Sequence, residues 1–264
     1  MCGIILKMKL DDIKITRSIV KSFFDDLFSN LEIDCAIVGA GPSGLVASYF
    51  LAKAGKKVAI FERKLAVGGG MWGGGMMFNK IVVQKEALPL LEEFGIRYFE
   101  SEKGYYVADS IEAVSALSYF SVRNGTKIFN LMSAEDVLTE KERVSGLVLN
   151  WTPVELNNLH VDPLTIRAKY VVDATGHPAE IASIIQNKLG KKLKTKTGKM
   201  VGEKSMDADS AEKSVINNTK EFYPGAFACG MSAIAIFGGH RMGPIFGGML
   251  LSGKKLSEIL LKHL

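Results

Sequence analysis

The chain has 264 residues, enough to bury a full core without disulfide or metal staples. With 47% hydrophobic and 23% charged residues it is too apolar for a disordered chain, and a net charge of +5 is too mild for a dedicated nucleic-acid binder. Its three cysteines, Cys2, Cys35 and Cys229, lack any CxxC spacing, which excludes a zinc ribbon or thioredoxin-type pair and points to a reducing compartment.

Met1 to Lys7 is too short for the apolar core of a signal peptide, and Met8, followed by a polar stretch, is an alternative start. Ile15 to Leu31 is a predicted amphipathic helix, with Ile15, Ile19, Phe23, Phe24, Leu27 and Leu31 at helical spacing. Ile33 to Val38 reads as a strand, Ser43 to Ala54 as a helix ended by Gly55, and Lys57 to Phe61 as a second strand closing at Glu62. Residues 33–62 thus have the size of one βαβ crossover. A glycine-dense loop follows over Gly68 to Gly75, then a helix over Val83 to Phe94 and strands over Ile96 to Glu100 and Tyr105 to Ala108. Ser110 to Arg123 reads as a helix and Thr126 to Phe129 as a strand. Ala134 to Thr139 and Val144 to Trp151 form a hairpin turning near Lys141 and Glu142. Tyr170 to Val172 is a buried strand and Ala179 to Leu189 a helix. Residues 188–204 carry seven Lys and read as an exposed, mobile loop. Phe227 to Phe237 is apolar and interrupted by Gly, and the last helix runs from Gly247 to His263. The longest weakly polar run, Gly225 to Gly239, is short of the roughly 20 apolar residues a membrane span needs, so no membrane association and a cytoplasmic location are expected. The whole reads as one α/β domain over 1–264, with residues 1–31 as an N-terminal extension and helix. The fold class is Rossmann-like, of the flavoprotein type, with an inserted β-rich subdomain.

Four segments carry chemistry. Gly39-Ala40-Gly41-Pro42-Ser43-Gly44 is a GxGxxG placed between a strand and a helix. Gly39 allows the tight turn, Gly41 lets backbone approach a pyrophosphate, and Gly44 lets helix and strand pack closely. The helix start offers free N–H groups to the anion. Glu62, at the end of the second strand, can take ribose hydroxyls. Gly68 to Gly75 costs backbone entropy unless close approach is needed, and Met71, Trp72, Met76 and Met77 argue against a solvated linker. His160-Val161-Asp162-Pro163 and Asp173-Ala174-Thr175-Gly176-His177 supply His and Asp suited to Fe(II), Zn(II) or Mn(II), although a His at a strand end is more often structural. Ala174-Thr175-Gly176 resembles a second nucleotide-contacting segment of flavoproteins. Gly238-Gly239-His240-Arg241-Met242-Gly243-Pro244 places Arg241 between glycines, suited to grip a carboxylate, and Gly247-Gly248 opens the last helix as a further backbone-approach point. Cys35 and Cys229 read as packing residues.

Taken together, Gly39 to Gly44, Glu62-Arg63, Gly68 to Gly75, His160 to Pro163, Asp173 to His177 and His240 to Pro244 resemble the thiamine-thiazole synthase family, on its archaeal, sulfide-dependent side. The resemblance covers nearly the whole chain from Met8. It implies a flavoprotein-like fold that consumes NAD as a substrate rather than a hydride carrier. Nicotinamide is released, and the remaining ADP-ribose condenses with glycine, takes up sulfur and cyclises to an ADP-linked thiazole carboxylate. Fungal and plant relatives carry a sulfur-donating Cys where this chain has His160. That departure implies external sulfur, most simply sulfide, and multiple turnovers. By the same resemblance, Asp162 and His177 match Fe(II) ligands, and Arg241 matches the holder of the glycine carboxylate. Ser43, Glu62, Arg63, Gly70, Ala134, His160 and Met231 match nucleotide-contacting positions, with Val161 and Asp162 beside them. A homo-octamer is implied, in which Asp162 reaches a neighbouring subunit's site. His160, as an imidazole, suits proton transfer, and the Lys-rich loop could close over reactive intermediates. The rivals are an FAD-dependent oxidoreductase, a ribose 1,5-bisphosphate isomerase and a non-enzymatic NAD sensor. The first needs room that 264 residues barely provide, and the second leaves the dinucleotide motif unexplained.

Overall fold

The computed structural model describes residues 9–190 and 192–264; the alternative start at Met8, Cys2 and Lys191 lie outside the described residues. Asp11 opens α1 (Asp12–Ser29), accepting from the Ile13 and Lys14 amides at 2.9 and 3.2 Å. β1 (Glu32–Val38), α2 (Pro42–Lys53) and β2 (Val58–Glu62) form the expected βαβ unit, with β1 and β2 parallel from Cys35 opposite Val58 to Val38 opposite Phe61. β3 (Lys80–Val83), α3 (Leu88–Glu93), β4 (Tyr98–Glu102) and β5 (Tyr105–Asp109) follow. The three strands pair antiparallel in the order β3–β5–β4, the inserted β-rich piece. The helix expected over Val83 to Phe94 is therefore corrected. Val83 ends a strand opposite Tyr106, and Pro89, which cannot sit in a helix interior, instead starts the short α3.

Asp109 caps α4 (Ser110–Arg123), and β6 (Lys127–Asn130) joins the main sheet beside β2. The hairpin is β7 (Met132–Glu140) and β8 (Arg143–Trp151), turned by Lys141 and Glu142 at φ 48 and 64, the mirror-image turn that matches strand twist. Next come α5 (Thr152–Leu156), β9 (Leu164–Asp173), α6 (Glu180–Lys188) and β10 (Glu203–Lys204). α7 (Ala208–Asn218), β11 (Lys220–Tyr223), β12 (Ala226–Ala228), α8 (Met231–Phe237), β13 (Gly239–His240) and α9 (Gly247–Leu261) complete the described chain. No helix among the described residues is long and apolar enough to cross a membrane.

The main sheet has eight strands in the order β11–β12–β9–β1–β2–β6, with β8 antiparallel along the first half of β9 and β7 beyond it. Alternation along the parallel strands divides the core. Cys35, Ile37, Val58 and Ile60 face a layer containing Leu45, Leu117, Leu250 and Leu256 of α2, α4 and α9. Ala36, Val38, Ala59 and Phe61 face the other layer, with Leu147 and Leu149 of the hairpin and Ile181 and Ile185 of α6. Of α1, only Phe23 and Leu27 pack on this core, while Ile13, Ile19, Phe24 and Phe28 remain exposed.

The Lys-rich segment is more structured than expected. Leu193 is buried, Lys194 pairs with Glu221, and the Val201 and Gly202 amides donate to Ile236 and Ala235 carbonyls at 3.0 and 2.9 Å. β10 then runs parallel to β13.

The tightest helix contact joins α2 and α9. A Cβ on Gly253 would lie 2.4 Å from the Ser43 carbonyl oxygen. Gly253→Ala is expected to cost about 1–3 kcal/mol, the usual penalty of overpacking. Thermal melting checks this, with a fall of several degrees expected.

Candidate functional site

A cavity of about 410 Å³ opens where β1, β2 and β9 end. This is the crevice at the carboxyl ends of parallel strands, where ligands of such sheets bind. Gly39 has φ 98, and a Cβ there would meet the Ala174 carbonyl oxygen at 2.4 Å. At Gly44 a Cβ would meet the Gly39 carbonyl oxygen at 2.3 Å. At Gly41 it would meet nothing within 4 Å, because that face looks into the cavity. The three glycines therefore divide turn, cradle and packing as their spacing predicts. Gly44 packs behind the wall and does not line it.

Glu62 is buried, and its carboxylate accepts from the Ala40 and Lys64 amides, both at 2.8 Å. Each oxygen keeps a lone pair for a further donor. Ser43 Oγ donates to the Met249 carbonyl at 2.8 Å, which ties the start of α2 to α9. Arg63 forms an ion pair with Glu180 at 2.6 Å, and burial pushes the Glu180 carboxyl up while Arg63 pulls it back. Both residues line the cavity. Glu180 was not among the expected site residues, although its place at the start of α6, just after His177, is a usable signal. Below them Asp173 is fully buried. Its oxygens take the Thr175 hydroxyl at 2.7 Å and the Thr175 and Ala182 amides at 3.1 Å, yet burial still raises its pKa.

Gly70, Ala134, Met231 and His177 also line the cavity. Gly70 lies in a 3-10 turn, Gly69–Gly73, whose Met71 is buried and whose Trp72 indole N–H donates to the Val67 carbonyl. Met71 fits the reading that the loop is not a solvated linker, whereas Met76 and Met77 are exposed, at φ 58 and 66. His177 Nδ1 bonds Glu203 Oε1 at 2.6 Å, with the side chain 49% exposed. Its other ring nitrogen makes no hydrogen bond to a described residue. A carboxylate on one imidazole nitrogen fixes the ring for ligation through the other.

The remaining expected residues stand apart from the cavity. His160, Val161 and Asp162 lie on the exposed stretch between α5 and β9, held by the Asn150 side-chain amide donating to the Val161 carbonyl at 3.0 Å. They do not line the cavity of their own chain, and no group of three or more potential ligands forms among the described residues. Of the two expected metal ligands, His177 lines the cavity and Asp162 does not. Arg241 is exposed at the rim, between a backbone bond to Lys204 and the cavity-lining Met242 and Gly243.

Comparison with known proteins shows the family. The Thi4 family matches residues 16–246. The chain belongs to the Thi4 family. It is 56% identical to a thiamine thiazole synthase of Methanothermobacter thermautotrophicus, covering 97% of this chain and 100% of that protein. It is likewise 56% identical to the thiamine thiazole synthase of Pyrococcus horikoshii, over 97% of this chain and 99% of the relative. The crystal structure of Thermovibrio ammonificans THI4 superposes with a TM-score of 0.95 at 52% identity, covering 97% and 99% of the two chains. The family match spans both the Gly39–Gly44 turn and the Arg241 segment.

Gly41 is open on its cavity side and has an ordinary φ, so a side chain there should be tolerated by the fold. Gly41→Val is expected to keep the melting temperature near wild type while weakening dinucleotide binding by about tenfold or more, at least ~1.4 kcal/mol. Calorimetric titration with NAD beside a melting curve separates the two effects.

Proposed function

We propose that this Thi4 protein makes the ADP-linked thiazole carboxylate precursor of thiamine from NAD, glycine and sulfide, with Fe(II), and turns over many times. It is then a transferase that acts on NAD and releases nicotinamide. The observation that carries this reading is the cavity wall itself. Gly41, Glu62 and the Thr175–His177 segment meet there with Met231 and Met242, in a chain of the thiazole synthase family. The start of α2 offers its free amides to the pyrophosphate, and Glu62 takes the ribose. Arg241 at the rim takes the glycine carboxylate as a bidentate cation.

The sulfur source follows from the cysteines. His160 stands where a sulfur-donating Cys would be, on an exposed loop. Cys35 and Cys229, the cysteines among the described residues, are fully buried, and burial pushes both thiols well above the usual range. A thiol held neutral is a poor nucleophile and poor sulfur donor. External sulfide is the simplest supply.

His177 and Asp162 would hold Fe(II). The orientation of His177 by Glu203 fits that role, and Asp162 fits it only as a ligand offered to another copy. Bound there, the metal supplies Lewis acidity while leaving positions open. The chain's own groups bind the nucleotide, hold glycine and shield the carbonyl chemistry from water. Shared sites require an oligomer, which we propose is a homo-octamer. The exposed apolar residues of α1 and the exposed Met76, Met77 and Phe78 supply surface that assembly would cover.

Anaerobic incubation with NAD, glycine, sulfide and Fe(II), read by mass spectrometry, tests the activity. Nicotinamide and an ADP-thiazole in excess over enzyme are expected. Intact NAD with tightly bound FAD would overturn the reading in favour of a flavin oxidoreductase. Subunit sharing has its own check. Asp162→Ala and His177→Ala should each abolish thiazole formation, and mixed oligomers assembled from the two should regain part of it.

A further inference from the structure

Three oxygens remain without hydrogen-bond partners in the described interior: Gln84 Oε1 and both carboxyl oxygens of Glu212. They belong to one junction. Gln84 follows β3, Glu212 lies on the buried face of α7, and both abut the glycine pair that starts α9. A Cβ on Gly247 would fall 1.7 Å from Gln84 Oε1, and one on Gly248 would fall 2.9 Å from Glu212 Oε2. The two glycines exist so that these polar groups can press against the helix start. Glu212 is only 8% exposed and has no cation beside it. Its polar neighbours are the Gly248 amide and the Gln84 side chain.

A carboxyl this dry, with no cation beside it and no hydrogen bond closed on either oxygen, is favoured in its neutral form, which can also donate, and Gln84 Oε1 is an acceptor still without a partner. The surroundings agree. Burial drives the carboxyl up to about 7 although the Gly248 amide and the Gln84 side chain both pull it down, and Glu86 on the neighbouring turn pushes in the same direction as burial. No opposing cation faces it. Lys213 pairs with Asp209 on the outer side of α7, and Lys255 of α9 donates to the Ile216 carbonyl. His240 of β13 turns to the Ser205 carbonyl, and α8 has no titratable side chain.

The junction reaches the cavity through backbone. The Asp207 amide, at the cap of α7, donates to the Arg241 carbonyl at 3.2 Å. At the other end, the Phe246 amide donates to Val82 at 2.9 Å, immediately before Gly247. Arg241 to Phe246 is thus strung between the two ends that Glu212 and Gln84 hold together. Met242, Gly243 and Phe246 in that span line the cavity.

We propose that Glu212 is a positioning residue: its neutral carboxyl, bonded to Gln84, docks α7 on the start of α9 and so fixes the Arg241–Phe246 wall against the cavity. The link to glycine rests on the role assigned above to Arg241; the fixing of the wall does not.

Because the folded-state pKa is raised, the folded state holds its proton more tightly than the unfolded one. Stability is therefore lost as pH climbs from the ordinary value of 4.5 through about 7. Glu212→Gln keeps the shape and a donor but cannot ionise. Its melting temperature should pull ahead of wild type as pH rises from about 5 to 8, with no such widening above that window. Hydrogen exchange of the full-length protein supplies the second reading. Glu212→Ala should speed exchange over 240–250 and leave 33–62 unchanged, and Glu212→Gln should restore protection. In the thiazole assay Glu212→Ala should raise the glycine KM by about fivefold or more with NAD affinity within twofold. A melting gap that is flat across pH, or exchange that rises equally in both segments, overturns the proposal. A wild-type protein that forms no thiazole would sink the activity reading alone, since melting and exchange still decide the fate of Glu212.

Discussion

The site depends on one close approach of backbone to backbone. The turn after β1 presses against the end of β9 so tightly that a Cβ on Gly39 would sit 2.4 Å from the Ala174 carbonyl. One on Gly44 would sit 2.3 Å from the Gly39 carbonyl. Only glycines allow the two segments to share that corner, and their contact lets α2 point its first amides at the same space that Ala174, Thr175 and Gly176 border. On the far side, Gly253 lets α9 reach the Ser43 carbonyl, and Ser43 Oγ bonds back to Met249. The start of α2 is thereby clamped between a strand end and a helix, neither of which can move without opening the cavity.

The buried carboxyls hold this corner in three different ways. Glu62 is satisfied by two backbone amides and is left with acceptor capacity facing the ligand. Asp173, deeper, is saturated by Thr175 and Ala182 and acts as a brace for the segment that carries His177. Glu212 has neither arrangement, and its environment favours the neutral acid. The distinction is one of donor supply. Amides that converge on an oxygen stabilise its charge, whereas burial with few donors and no cation favours the neutral acid.

The βαβ unit, its glycines and Glu62 were legible because each makes a strong local demand: φ at Gly39, contact at Gly44, an open face at Gly41. The hairpin was legible from its alternation and its turn. What local pattern could not supply was partnership across the chain. Val83 looks helical beside Leu88, Leu90 and Leu91, but it belongs to a strand because Tyr106 is opposite. α7 has little apolar character of its own, and its buried stripe is Ala211, Glu212 and Val215, so its periodicity was too faint to read. Glu180 and Glu203 gained meaning only when the fold brought them to Arg63 and His177. Met76 and Met77, which argued against a solvated linker, stand exposed at positive φ.

The division of the expected metal ligands has a physical logic. His177 is anchored at a strand end, oriented by Glu203 and open on its second nitrogen. Asp162 rides on an exposed stretch after a one-turn helix, with Asn150 holding the Val161 carbonyl beside it. Asp162 lies outside the cavity that His177 lines, so the proposed centre using both would draw Asp162 from a second chain. A centre assembled that way would exist only in the oligomer. On that proposal an isolated chain would keep the cavity and His177 but lack the second ligand, so assembly would be what completes the site.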